Sequence, residues 1–137
     1  MNERIRFEKP DIGKLRSEGL TCVDMHYHTY YSDSYTRPED ALKFAEKMNV
    51  GVAITDHNQV HGMVDAFKSG IDVPIVPGIE ISASDGPHIL AYFYDWKELE
   101  TFWELNIKDH IRWCQWIALK DLPTVRILDL LEKENCV

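Results

Sequence analysis

The segment Val50–Thr55 (VGVAIT) constrains this chain most: it is an unbroken apolar run of strand length that passes directly into Asp56-His57-Asn58. A short run of this kind suits a strand buried on both faces, which occurs where helices cover a sheet. The polar triplet that follows predicts a strand end at which chemistry-bearing side chains collect.

The flanking segments extend the pattern. Thr21 to His28 alternates, with Cys22, Val23 and Met25 among Asp24, His26 and His28. A strand there sets Asp24, His26 and His28 on one side, within reach of one ion. Thr36-Arg37-Pro38-Glu39 has the form of a capping box, and Ala41, Leu42, Ala45 and Met48 follow at helical spacing, predicting a helix from about Pro38 to Met48. A second helix is expected from about Val60 to Lys68, with Gly70 as its C-terminal glycine. Val73 to Ile81 carries Glu80 and reads as a strand, with an end or bend expected near Pro77. His88 to Tyr94 is a fourth strand candidate, while residues up to about Leu20 read as irregular. Strand, helix, strand, helix, strand is an α/β order that favours a parallel sheet or barrel.

Beyond Asp95 the spacing of Trp96, Leu99, Phe102, Trp103, Leu105 and Ile107 is helical, and Trp113 and Trp116 follow. Amphipathic packing accounts for these aromatics as core better than a base-stacking surface does. Thr124 to Lys133 predicts a further helix, and Asn135-Cys136-Val137 the entry to another strand. A chain of 137 residues with 45% apolar content fits one domain spanning residues 1–137. Its net charge of −8 has the wrong sign for a stable nucleic-acid partner held by phosphate neutralisation. A phosphorylated substrate would need bound cations instead. Cys22, Cys114 and Cys136 are widely spaced with no paired motif, Met1–Pro10 has no signal-peptide pattern, and no apolar run approaches a membrane span. A cytoplasmic protein with reduced thiols and no membrane partner is the expectation.

The candidate ligands fall in four clusters, each at or just after an expected strand: His26, His28 and Asp33; His57; Glu80; and His88. In barrels of alternating strands and helices the C-terminal strand ends converge on one face, so these clusters predict a single site. Four imidazoles and two carboxylates suit zinc, manganese or iron, and a carboxylate can bridge two such ions. A histidine on a strand is more often a hydrogen-bonded partner than a ligand, and it is the combination that argues for metal. Asp24, Asp56 and Asn58 are read as supporting residues, the two aspartates orienting histidines from behind. His61 and His110 have no such context.

Asp24-Met25-His26-Tyr27-His28-Thr29 with Ser32-Asp33, then Thr55-Asp56-His57-Asn58, Pro77-Gly78-Ile79-Glu80 and His88, resembles the successive metal motifs of the polymerase and histidinol phosphatase (PHP) family. The resemblance spans roughly residues 21 to 94. It implies a distorted, TIM-like seven-stranded β/α barrel with two or three divalent ions at the strand ends. His26, His28 and Glu80 would bind the first ion, Asp33 and His57 the second, and Glu80 with His88 the third. The activity implied is hydrolysis of a phosphate ester by metal-activated water, on a small phosphorylated substrate such as a nucleotide or a nucleic-acid end. A non-catalytic PHP module and a metal-dependent amidohydrolase are the alternatives. Two departures stand out: Ser34 replaces a glycine common in the first motif, and the family's later histidine and Asp-x-His motif have no counterpart, so the barrel is expected to stop after about four or five strands.

Overall fold

The computed structural model describes residues 9–137. The reading of Met1–Pro10 therefore lies outside the described residues, Lys9 and Pro10 apart.

The strands β1 (Val23–Tyr27), β2 (Gly51–Ile54), β3 (Ile75–Ser82) and β4 (His88–Tyr92) form one sheet in the order β1-β2-β3-β4. The first two pairings are parallel, whereas β3 and β4 form an antiparallel hairpin. The helices are α1 (Ile12–Ser17), α2 (Pro38–Met48), α3 (His61–Lys68), α4 (Trp96–Asn106) and α5 (Thr124–Leu131). This is an α/β fold whose open sheet corresponds to part of the expected barrel. Cys136 bridges antiparallel to Phe93, and Val137 exchanges backbone hydrogen bonds with Tyr92 at 2.7 and 2.9 Å, so the expected strand entry lies along the outer edge of β4. None of the described helices is long and apolar enough to cross a membrane.

Alternation along the strands divides the sheet into two faces. Val52, Ile54, Ile79, Ile81, Ala91 and Phe93 join Leu42, Met63, Leu99 and Phe102 in the buried core. Truncating a side chain such as fully buried Leu42 to alanine would cost about 2–5 kcal/mol. Glu80 and Ser82 alternate with Ile79 and Ile81, so they point to the other face of β3.

α2 has the expected limits, with Pro38 in its first turn and Asn49 closing it in the left-handed conformation (φ 51°). The capping box does not form: Arg37 occupies the N-cap position without a side-chain hydrogen bond, and the Thr36 hydroxyl pairs with Ser34. Three further expectations are corrected. β3 runs unbroken through Pro77, which lies opposite Phe93, one residue beyond the end of β4; there its carbonyl still accepts from Phe93 N–H (3.0 Å) and the missing donor costs little. The opening segment contains α1, which buries none of its residues and so leaves no amphipathic signature; Asp11 caps it, and Arg16 donates to the carbonyls of Met48 and Asn49. Finally, Leu99, Phe102 and Trp103 are core, but Leu105 and Trp113 are exposed and Trp116 is half-exposed, since they lie on the outer side or beyond the end of α4.

Candidate metal centre

β1, β2 and β3 run parallel, so His26, His28, His57 and Glu80 reach the same end of the sheet. His88 arrives there by a different route from the one expected. It is the first residue of β4, as the strand candidate His88 to Tyr94 had it, but β4 runs antiparallel, and the tight Ala83–Pro87 connection returns the chain to the site at the N-terminal end of that strand. His57 continues the β2–β3 ladder by one bridge and sits beside Glu80, with Asn58 N–H donating to Glu80 O at 2.8 Å and Glu80 N–H to Asp56 O at 3.3 Å. Backbone register thus sets the two most buried site residues side by side.

The side chains converge. His26 Nε2, His28 Nε2 and Glu80 Oε2 lie 2.8–2.9 Å from one another. A proton can bridge only two of three such atoms, whereas one cation takes a lone pair from each. Two further triads share these residues: His28 with Asp33 and His57, and His57 with Glu80 and His88. His88 Nδ1 is 2.7 Å from Glu80 Oε1, His28 Nδ1 is 2.6 Å from Asp33 Oδ1, and Asp33 Oδ2 is 3.6 Å from His57 Nε2. All six predicted ligand residues meet in one cluster, with Glu80 and His57 buried at its floor and His26, Asp33 and His88 partly exposed at its rim. The donors are imidazole and carboxylate without a thiolate, a set that fits a divalent transition metal.

The electrostatics follow from that packing. Burial alone would raise the Glu80 pKa, but hydrogen bonds from His26 and His88 and the nearby His57 and His28 outweigh it, and Glu80 titrates below the ordinary carboxylate range. For Asp33, too, burial works upward, and the hydrogen bond to His28 with the charges of His28 and His57 brings the pKa below its usual value. Burial lowers the His57 pKa against the attraction of Glu80 and Asp33, so this imidazole is neutral and has a lone pair to offer near neutral pH.

The supporting residues act differently from expectation. Asp24 accepts from the backbone N–H of His26 (3.2 Å) and touches no imidazole. Asp56 does not orient a histidine either: its carboxylate accepts from Thr29 N–H (2.6 Å), the Thr29 hydroxyl (2.7 Å) and the Ser32 hydroxyl (2.7 Å). It therefore holds the loop that delivers Asp33. Buried Asn58, in the left-handed conformation (φ 53°), accepts from Ser82 N–H and donates to the carbonyls of Gln115 and Ile117, while its own carbonyl accepts from Trp103 Nε1–H. Ser34 has no positive φ, so the glycine usual at that position is not needed here.

Sequence reasoning missed Ser82, whose hydroxyl lies 3.1 Å from His57 Nδ1. The signal was available, because residue 82 follows Glu80 by one strand period. It also missed Tyr92, whose hydroxyl donates to Met25 O across the inner face of the sheet.

Comparison with known proteins gives a consistent picture. The family profile of the PHP domain matches residues 24–110. The chain is 38% identical to an uncharacterised protein of Methanocaldococcus jannaschii, over 47% of this chain and 46% of that one. It is 39% identical to the 5'-3' exoribonuclease Rnm of Escherichia coli, over 43% of this chain and 22% of the enzyme. Among solved structures it is similar to a protein described as a candidate metal-dependent phosphoesterase from Bifidobacterium adolescentis, with 31% identity, a TM-score of 0.51, and coverage of 62% of this chain and 32% of that one. An amidohydrolase from Chromobacterium violaceum, with bound sulfate and no metal, superposes with a TM-score of 0.54 at 26% identity, covering 64% of this chain and 32% of that one. The chain thus spans less than half the length of these relatives.

Proposed function

The chain belongs to the PHP domain family, and from that premise we propose that residues 1–137 carry the metal-binding part of a phosphoesterase, in which two or three divalent ions held by His26, His28, Asp33, His57, Glu80 and His88 serve hydrolysis of a phosphate ester. The observation that carries this reading is the sharing of Glu80: one oxygen faces His26 and His28 and the other faces His88, the arrangement of a carboxylate between ions. When bound, such ions lower the pKa of a water and offset negative charge on a phosphate and its leaving oxygen.

The residues of the chain supply the remainder. Buried Glu80 and His57 fix the floor, and the half-exposed imidazoles of His26 and His88 leave the rim open to a substrate. The Asp56 hydrogen bonds hold the Asp33 loop against that rim, so the substrate-facing carboxylate is positioned before anything binds. Support for an oxyanion substrate comes from the sulfate in the similar amidohydrolase, and the exoribonuclease relative favours a nucleotide or nucleic-acid end among phosphate esters.

The amidohydrolase likeness also favours a second reading, cleavage of an amide at the same ions. The test is hydrolysis by the metal-loaded chain of a chromogenic phosphate ester and a chromogenic amide, each with and without chelator. Chelator-sensitive phosphate release that Glu80→Gln abolishes supports the proposal. Turnover of the amide alone, or chelator-insensitive turnover, contradicts it.

A further inference from the structure

We propose that Tyr92 is a positioning residue for His26: from β4 its hydroxyl holds the Met25–His26 peptide of β1, and so sets an imidazole that one triad alone uses. The inference rests on the metal-site reading above and adds to it a residue outside the ligand set.

β1 is irregular where its first ligand stands. The register pairs Asp24 with Val52 and Tyr27 with Ile54, so Met25 and His26 lie opposite the single residue Ala53. An extra residue of this kind disrupts the ladder locally and bends the strand. Both polar groups of the peptide between Met25 and His26 turn to side chains. Met25 O accepts from the Tyr92 hydroxyl (2.5 Å), and His26 N–H donates to Asp24 Oδ1 (3.2 Å). A carbonyl can only accept, so the phenol is the donor. Regular pairing resumes at the next ligand, where Tyr27 O accepts from Thr55 N–H at 2.8 Å. The ladder thus anchors the peptide entering His28, whereas the peptide entering His26 is held by Tyr92 and Asp24.

Tyr92 reaches that peptide because a glycine clears its path. Two strands separate β4 from β1, and the register sets Tyr92 directly opposite Gly78 on β3. A Cβ at Gly78 would lie 3.2 and 3.3 Å from Cδ1 and Cε1 of the tyrosine ring, and 2.7 Å from Thr55 Cγ2 just past the end of β2. The ring therefore lies against Gly78, where a side chain would stand in its way. The consequence falls on one triad. His26 belongs only to the group it forms with His28 and Glu80, whereas His28, His57 and Glu80 are each shared. The His26 imidazole is half-exposed, so packing does little to hold it and its placement depends on the backbone that carries it.

The test uses the full chain and zinc alone. Tyr92→Phe keeps the ring against Gly78 and removes only the hydroxyl. Zinc titration should show a loss of about tenfold or more in affinity for one ion while another binds as in wild type. The same substitution made in a His26→Ala chain should cost nothing further, because the residue it positions is already gone. An equal loss in that background would mark a general effect on the fold and overturn the proposal, as would unchanged zinc binding in the single variant. Should the variant fail to fold, a crystal structure of zinc-loaded wild type decides: the Tyr92 hydroxyl is expected within hydrogen-bond distance of Met25 O, and a hydroxyl turned away from it overturns the proposal. In the metal-free protein, Tyr92→Phe should speed hydrogen exchange of the His26 amide and leave that of the Thr55 amide unchanged; an unaffected His26 amide counts against the proposal. A wild-type chain that takes up no zinc, yet whose His26 amide follows Tyr92, would sink the metal-site reading and leave the positioning role standing.

Discussion

Substituting Gly62 by alanine should damage the site without touching a ligand. In an ordinary helix the change is favourable, because glycine is less helix-stabilising than alanine by about 1 kcal/mol. Gly62, in the first turn of α3, is not in ordinary surroundings: an added Cβ would overlap Asp56 Oδ2 outright, lie 2.6 Å from Thr29 Oγ1 and 3.2 Å from Ile54 Cγ2. Asp56 is 1% exposed and has no room to retreat. Overpacking of this kind costs about 1–3 kcal/mol, and losing even one of the three hydrogen bonds to the carboxylate costs about 1.5–3 kcal/mol more. Set against the helix gain, the expected net destabilisation is about 2–4 kcal/mol. Urea unfolding of the metal-free protein measures it, with Gly13→Ala as the control. At Gly13 the nearest atom would be 3.4 Å away, an ordinary contact, so the control should be neutral or slightly stabilising. Because Asp56 holds the loop carrying Asp33, the Gly62 variant should also bind metal more weakly. A Gly62→Ala protein as stable as wild type would refute the tight packing inferred for Asp56.

Glu80→Gln keeps the shape of the shared carboxylate but removes its charge, and elemental analysis should show a loss of more than one ion per chain. Trp103→Phe removes the indole donor to Asn58 O and leaves that buried carbonyl unpaired, which should lower stability by about 1–3 kcal/mol in the same urea assay. The metal-free protein should lose stability on acidification in two stages. His57, with its pKa held below 6.5, binds fewer protons than the unfolded chain as pH falls past that value; Glu80 and Asp33, held below 4.5 and 3.8, add a second loss under more acidic conditions. Urea midpoints measured across this range should fall with pH, and a flat profile would contradict the burial and pairing described for these groups.

Features set by local chemistry were legible in the sequence. Pro38 in the first turn and the helical spacing through Met48 fixed the limits of α2, and the apolar run ending in Thr55 placed His57 at a strand end. What escaped depends on neighbours distant in the chain. Whether Pro77 breaks a strand depends on whether the missing N–H falls where the adjacent strand has already ended. Asp56 was expected to face a histidine because both stand at one strand end, but alternation turns it away toward Thr29 and Ser32. His88 begins its strand as expected, but that strand is antiparallel, so His88 reaches the site from an N-terminal strand end and not a C-terminal one. The Ser84-Asp85-Gly86 turn, with Gly86 at φ 112°, is the local feature that permits the reversal. α1 has no buried face, so no periodicity could disclose it.

The most direct test of the account is anomalous diffraction from crystals grown with zinc or manganese. Metal peaks are expected among His26, His28 and Glu80, among His28, Asp33 and His57, and beside His57, Glu80 and His88. Crystals saturated with metal that show no peak within bonding distance of Glu80 would contradict it.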